Sequence, residues 1–141
     1  MRKFFILLLC CIAIIGCKKK EPEKLSCNSA KLIVCSYSDS ITKVIDHDIT
    51  YGFNNDGSKL ECIGTVTKYD KDKVTTEQFV EEAKKICASS KKLFSSKCIY
   101  NKTEQYISEL TMMSEQPPGL FEPYRSKTYD ELKATAKDNC K

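Results

Sequence analysis

The chain has 141 residues, 30% of them charged and 41% apolar, with nine cysteines, one histidine and no tryptophan. Its formal charge of +4 is concentrated near the start: Arg2, Lys3, Lys18, Lys19, Lys20 and Lys24 outweigh Glu21 and Glu23, which leaves 17 basic and 17 acidic residues from Leu25 to Lys141. A neutral body without an aromatic-interleaved basic stripe excludes charge-driven readout of nucleic acid, so no nucleic-acid partner is expected.

The first element is an export signal. Arg2 and Lys3 precede an apolar run of 12 residues, Phe4 to Ile15, and the small Gly16 stands directly before Cys17. The run is shorter than the roughly 20 residues that a helix needs to cross a bilayer. Ile14, Ile15, Gly16 and Cys17 resemble the lipobox of bacterial lipoproteins. The resemblance implies that residues 1–16 are a signal peptide cut off before Cys17, that the Cys17 thiol is joined to diacylglycerol, and that the new amino group is often acylated as well. A thiolate suits that chemistry because it is a far better nucleophile than a hydroxyl near neutral pH. Cys10 and Cys11 sit inside the apolar run and read as filler removed with it.

Two or three acyl chains anchor stably where one is marginal, since each buried methylene contributes about 0.8 kcal/mol. The covalent lipid on Cys17 is the only cofactor expected, and the lipid bilayer is the first expected partner. Residues 17–24 form a lipidated tether in which Lys18 to Lys20 lie beside the headgroups, and Pro22 opposes an ordered helix. The implied location is the bacterial cell envelope. By analogy with enterobacterial lipoprotein sorting, Lys18 stands where an aspartate would retain the protein at the inner membrane, which favours the outer membrane or the cell surface.

Residues 25–141 suit a single α+β domain. Lys31 to Ser38, rich in β-branched and aromatic residues, reads as a strand. Ile49, Tyr51 and Phe53 alternate on one face, as do Leu60, Cys62 and Val66. Between these runs, Asn54-Asn55-Asp56-Gly57 suits a tight turn and makes a β-hairpin. The turn lacks the alternating ligands and terminal Glu of a calcium loop, and Tyr69 to Lys73 reads as a solvated connector.

Thr75 opens a helix with Gln78 as its capping-box partner, and Phe79, Val80, Ala83, Ile86 and Cys87 form one apolar stripe. Tyr106 to Met112 alternates as a strand, and Ser114 to Ser126, with three prolines and one glycine, reads as a loop. Thr128 and Glu131 then cap a second helix whose stripe is Leu132, Ala136 and Cys140. The expected fold is a small antiparallel β-sheet with two amphipathic helices.

Cys27, Cys35, Cys62, Cys87, Cys98 and Cys140 are an even set in an exported body, which predicts a disulfide-stapled fold. Metal binding is the competitor, but there is no Cys-x-x-Cys pair and a single histidine, so no metal ligand is assigned. Fifteen pairings are open. The segments Thr75 to Cys87 and Thr128 to Cys140 align without a gap, and "CIGTVT" at Cys62 has a partial counterpart in "CIYNKT" at Cys98. A duplicated strand-then-helix unit would make Cys62–Cys87, Cys98–Cys140 and Cys27–Cys35 the natural pairs.

No catalytic residue is assigned. His47 lies between Asp46 and Asp48, but adjacent strand residues point to opposite faces, and no hydrolase or phosphate-loop motif is present. Leu120, Phe121 and Tyr124, apolar side chains among prolines, form the candidate binding loop. The expected function is therefore a membrane-anchored, non-enzymatic module that binds another protein or has a structural role. The alternatives are a disulfide-stapled inhibitor of an extracellular enzyme, with the proline-rich loop as its reactive segment, and a small envelope hydrolase.

Overall fold

Alternating apolar residues build five strands: β1 (Lys31–Ser38), β2 (Val44–Phe53), β3 (Leu60–Tyr69), β4 (Lys97–Asn101) and β5 (Tyr106–Met112). They form one antiparallel sheet in the order β1-β2-β3-β5-β4. Around it lie α1 (Thr76–Phe94), a 3-10 turn (Met113–Glu115), α2 (Glu122–Arg125) and α3 (Tyr129–Thr135). The fold is α+β, with three disulfides among the described residues. The computed structural model describes residues 22–39, 41–136 and 138–141; the signal, Cys17 and the tether up to Glu21 lie outside the described residues.

Strand register sorts the side chains onto two faces. Ile33, Tyr51, Ile63 and Thr111 lie in one row across four strands, and Tyr37, His47, Thr67, Ile107 and Tyr100 lie in another on the same side. The helices cover this side in two halves. One half buries Ile33, Cys35, Phe53, Leu60 and Met113 against Phe121, Tyr129 and Leu132. The other buries Tyr69, Val74 and Ile107 against Phe79 and Ala83 of α1. Full burial of Phe79 contributes roughly 1.5–3 kcal/mol.

The opposite face is crossed diagonally by residues 22–30. Tyr106 donates its hydroxyl to the Pro22 carbonyl at 2.8 Å, and the Leu25 amide donates to Ser108 Oγ at 2.9 Å. Cys27 is bonded to Cys62, and Ser29 Oγ donates to Glu61 at 2.8 Å. Gly52 makes the crossing possible, since a Cβ there would stand 2.6 Å from Cys62 Sγ and 2.8 Å from Ser29 Oγ. Pro22 to Lys24, read from sequence as tether, is thus already stitched to the sheet, with the Lys24 ammonium 5.2 Å from the Tyr106 ring centre.

Both capping boxes form, Thr75 with Gln78 and Thr128 with Glu131. The β2–β3 hairpin turns through Gly57 at φ +79°, and the Tyr129 amide donates to the Gly57 carbonyl at 2.7 Å, so the start of α3 docks on the hairpin tip.

Three expectations are corrected. First, α1 outruns the apolar stripe that finishes at Cys87; it continues to Phe94, and Ser95 in the left-handed region caps it. Second, Ala136 and Cys140 do not extend the stripe of α3. That helix stops at Thr135, and residues 139–141 meet the outer edge of β1 through an isolated antiparallel bridge and its flanking backbone hydrogen bonds. Third, the disulfides are Cys27–Cys62, Cys35–Cys140 and Cys87–Cys98 instead of those a duplicated unit would make. The pleat gives the reason: Cys62 belongs to the row of Gly52 and Met112, on the face away from α1, so it meets the N-terminal segment and not Cys87. Within the proline-rich loop, the 3-10 turn and the single turn of α2 add local structure.

Candidate functional site

The helical face is not closed at the β1 side of its first half. Along β1 and β2, facing α2 and α3, lies a cleft of about 350 Å³ with Ile33 and the Cys35–Cys140 bridge in its floor. Tyr37 from β1, Tyr51 from β2 and Tyr124 from α2 stand around it, and Leu132 forms part of the far wall. No charged side chain is among its described lining residues.

Each tyrosine is placed by a different piece of local structure. Tyr37 continues the inward row of Ile33 and Cys35 past the point where α3 covers the sheet, so it is 47% exposed. Tyr51 lies opposite Ile33 and Ile63 in the register and is half-buried. Tyr124 comes from the proline-rich loop and stacks on Tyr51, with ring centres 5.5 Å apart and planes inclined by 28°. Burial, and then the neighbouring Tyr124 and Tyr37, push the Tyr51 phenol up to about 12. The cleft presents phenol hydroxyls on aromatic surface, a combination suited to packing and hydrogen bonding with another molecule.

The candidate loop divides. Tyr124 faces the cleft and is 39% exposed. Phe121 folds back instead, half-buried on the first core cluster and 5.6 Å from the Phe94 ring centre. Leu120 is half-buried, and its amide donates to the Pro117 carbonyl at 3.3 Å. Arg125 ties the loop down by donating to the carbonyls of Pro117 and Met113, each at 3.0 Å. The sequence reading missed Tyr37 and Tyr51. Their signal was the inward period-two position each occupies, which reads equally well as ordinary sheet packing.

His47 sits near the middle of the helical face, and its Nδ1 lies 2.8 Å from Thr67 Oγ1, its cross-strand neighbour. Of the flanking carboxylates, Asp46 accepts a hydrogen bond from Ser38 at 2.9 Å. A second polar group links α1 to the sheet: Ser90 donates to Glu109, which also accepts from Thr65 at 3.3 Å. Burial, and then the Glu82 carboxylate, push the Tyr69 phenol up to about 12 nearby. The Ser90 bond fastens helix to strand, the others join strand to strand, and among the described residues Thr67 is the hydroxyl that meets the imidazole.

All six predicted disulfide cysteines are bonded, but in three separate places: the N-terminal crossing, the edge of β1, and the contact of α1 with β4. Only Cys35 and Cys140 belong to the cleft. No family model matches this chain, and neither the curated proteins nor the solved structures contain a match.

Proposed function

We propose that the chain is a lipoprotein of a bacterial cell envelope, anchored through acyl chains on Cys17, that binds another protein through the tyrosine cleft and performs no catalysis. The anchor rests on Ile14-Ile15-Gly16-Cys17 and the apolar run before it. The binding role is carried by one observation: the gathering of Tyr37, Tyr51 and Tyr124 at an uncharged, partly open cleft. Tyrosine supplies large contact area for the loss of only two side-chain torsions and is enriched among the residues that dominate protein interfaces. The disulfide beneath and the Arg125 ties beside it hold the surface in shape before a partner arrives, which lowers the ordering cost of binding.

Two experiments test the two parts. The anchor is tested by phase partition of the full chain: the wild type should enter the detergent phase and Cys17→Ala should not. A Cys17→Ala product in the detergent phase sinks the lipoprotein reading. For the cleft, a photo-crosslinking phenylalanine analogue replaces Tyr37 in cells, with the same analogue at exposed Lys84 on α1 as control. A discrete adduct from position 37 that disappears with Tyr124→Ala is the expected result. Equal adducts from both positions, or none from 37, would overturn the cleft as the binding surface.

A further inference from the structure

We propose that the end of the sheet where β1 finishes and β2 begins, with Asp39 and residues 41–43, rests on the phospholipid bilayer, with Ile41 in contact with lipid. The proposal rests on the lipidated Cys17 of the proposed function. Its basis is where the N-terminal segment joins the sheet and how little chain remains beyond that point.

Pro22 is pinned by Tyr106 at the start of β5, and the chain then passes Ser108 at Leu25 and Cys62 at Cys27 before entering β1. Tyr106 pairs with Lys68, one residue short of the end of β3, so Pro22 lies toward the end of the sheet where β3 finishes and β2 begins. Five residue steps separate Cys17 from Pro22 in the sequence, which can reach at most about 18 Å. Strand β3 has 10 residues, so its length is about 33 Å at about 3.3 Å per residue. A lipid on Cys17 therefore brings the Tyr106 end within reach of the headgroups. The hairpin tip at Asn54 to Gly57, beyond the other end of the strands, lies farther from Pro22 than the tether can reach.

The near end is one connected surface. The Asp70 amide donates to the Lys43 carbonyl at 2.8 Å, Lys73 Nζ donates to the Thr42 carbonyl at 3.1 Å, and the Tyr69 amide donates to the Gln105 carbonyl at 2.8 Å. Ile41 projects from it, 89% exposed, the most exposed of the large apolar side chains described. The Asp39 carboxylate, accepting from the Ile41 amide at 2.8 Å, holds that turn in shape. Exposed Lys43, Lys71, Lys73 and Lys102 at this end are offset by Asp39, Asp70, Asp72 and Glu104. Net charge therefore gives the surface little pull toward anionic lipid. The short tether supplies proximity, and Ile41 supplies the apolar contact that a lone exposed side chain lacks in water.

The absence of tryptophan makes a direct test available, because one introduced indole is the sole tryptophan and absorbs at longer wavelength than the seven tyrosines. The full lipidated chain carrying Ile41→Trp or Asn55→Trp is reconstituted into vesicles of phosphatidylethanolamine and phosphatidylglycerol, with and without acyl-chain-brominated lipid. Flotation of the vesicles reports anchoring independently. The expected result is blue-shifted emission and bromine quenching for the position 41 variant, with neither for position 55. Equal quenching at both positions overturns the proposal, as does an unquenched position 41 in protein that floats. A blue shift at 41 without quenching reports contact with protein instead of lipid and also overturns it. Failure of the chain to float removes the anchor and the proposal with it.

Discussion

Cys35 and Cys140 stand directly opposite one another on antiparallel neighbours, and hydrogen-bonded backbone flanks them on both sides. Val34 and Lys141 exchange both amide bonds, at 3.0 and 2.8 Å, and the Ser36 amide donates to the Asn139 carbonyl at 2.8 Å. The cysteines thus occupy a non-hydrogen-bonded position of the ladder, where side chains across an antiparallel pair are closest. The bridge closes a long loop, covers part of the outer edge of β1 and floors the tyrosine cleft in a single bond.

The three disulfides should differ in worth by the length of chain they close. Their sequence separations are 105 for Cys35–Cys140, 35 for Cys27–Cys62 and 11 for Cys87–Cys98. In the chain-entropy model these correspond to about 5, 4 and 3 kcal/mol. Paired Cys→Ala variants compared by urea denaturation should lose stability in that order. The reverse order would show that strain or residual structure in the unfolded chain outweighs loop entropy. Peptide mapping under non-reducing conditions checks the pairing itself.

Two glycines should tolerate no side chain. Gly57→Ala places a methyl group 2.9 Å from Tyr129 Cβ at a backbone φ of +79°, a combination expected to cost about 1–3 kcal/mol. Gly52→Ala meets Cys62 Sγ at 2.6 Å and Ser29 at 2.8 Å, in the one place where the N-terminal segment crosses β2. Both should lower the thermal midpoint, whereas alanine at Gly119, with nothing within 4 Å, should suffer only from its φ of +89°. A Gly52→Ala protein as stable as wild type would mean that residues 26–30 do not lie on the sheet.

The strands were legible because alternation is local: Ile33 and Cys35, or Tyr51 and Phe53, declare an inward face without reference to anything distant. Thr75 with Gln78 declared the start of α1 for the same reason. Its end was not legible, since after Cys87 the segment to Phe94 offers only Phe94 to the core and shows no stripe. The apparent duplication came from helix-start chemistry that any two capped helices share. Ala83 is fully buried on the inner side of α1, while its counterpart Ala136 lies beyond the last turn of α3. Disulfide pairing and the tyrosine cleft were hidden because both depend on register. That Cys62 faces away from α1, and that Tyr37 and Tyr51 share a row set with Ile33, follows from strand pairing between residues far apart in sequence.

Phenol titration should expose the buried side of the cleft. Tyr51 and Tyr69 are each raised to about 12 from an ordinary value of 10, in both cases chiefly by burial. The folded protein therefore holds protons that the unfolded chain releases between these values. Stability from this source is fully present below pH about 10 and is lost as pH rises through about 12. Phenolate absorbance of the native protein should show part of its seven tyrosines titrating late. Tyr51→Phe should remove one late phenol, and an unchanged late fraction in that variant would contradict the burial of Tyr51.

Tyr124 and Phe121, three residues apart, should separate binding from stability. Phe121 packs on Phe94 and the first core cluster, so Phe121→Ala should lower stability by about 1–3 kcal/mol, less than a fully buried phenylalanine would lose. Tyr124 is 39% exposed and touches Tyr51 by one stacked face, so its removal should cost stability only about 0.5–1.5 kcal/mol. If the cleft is the binding surface, Tyr124→Ala or Tyr37→Ala should weaken capture of the crosslinked partner by about 30-fold, the effect of losing a contact worth about 2 kcal/mol. Calorimetry for stability and titration with the purified partner for affinity give the two readouts. Should Phe121→Ala abolish binding while the tyrosine variants leave it unchanged, the partner would be recognised by the folded-back side of the loop, and the cleft would be only a gap between the β1–β2 edge of the sheet and the helices α2 and α3.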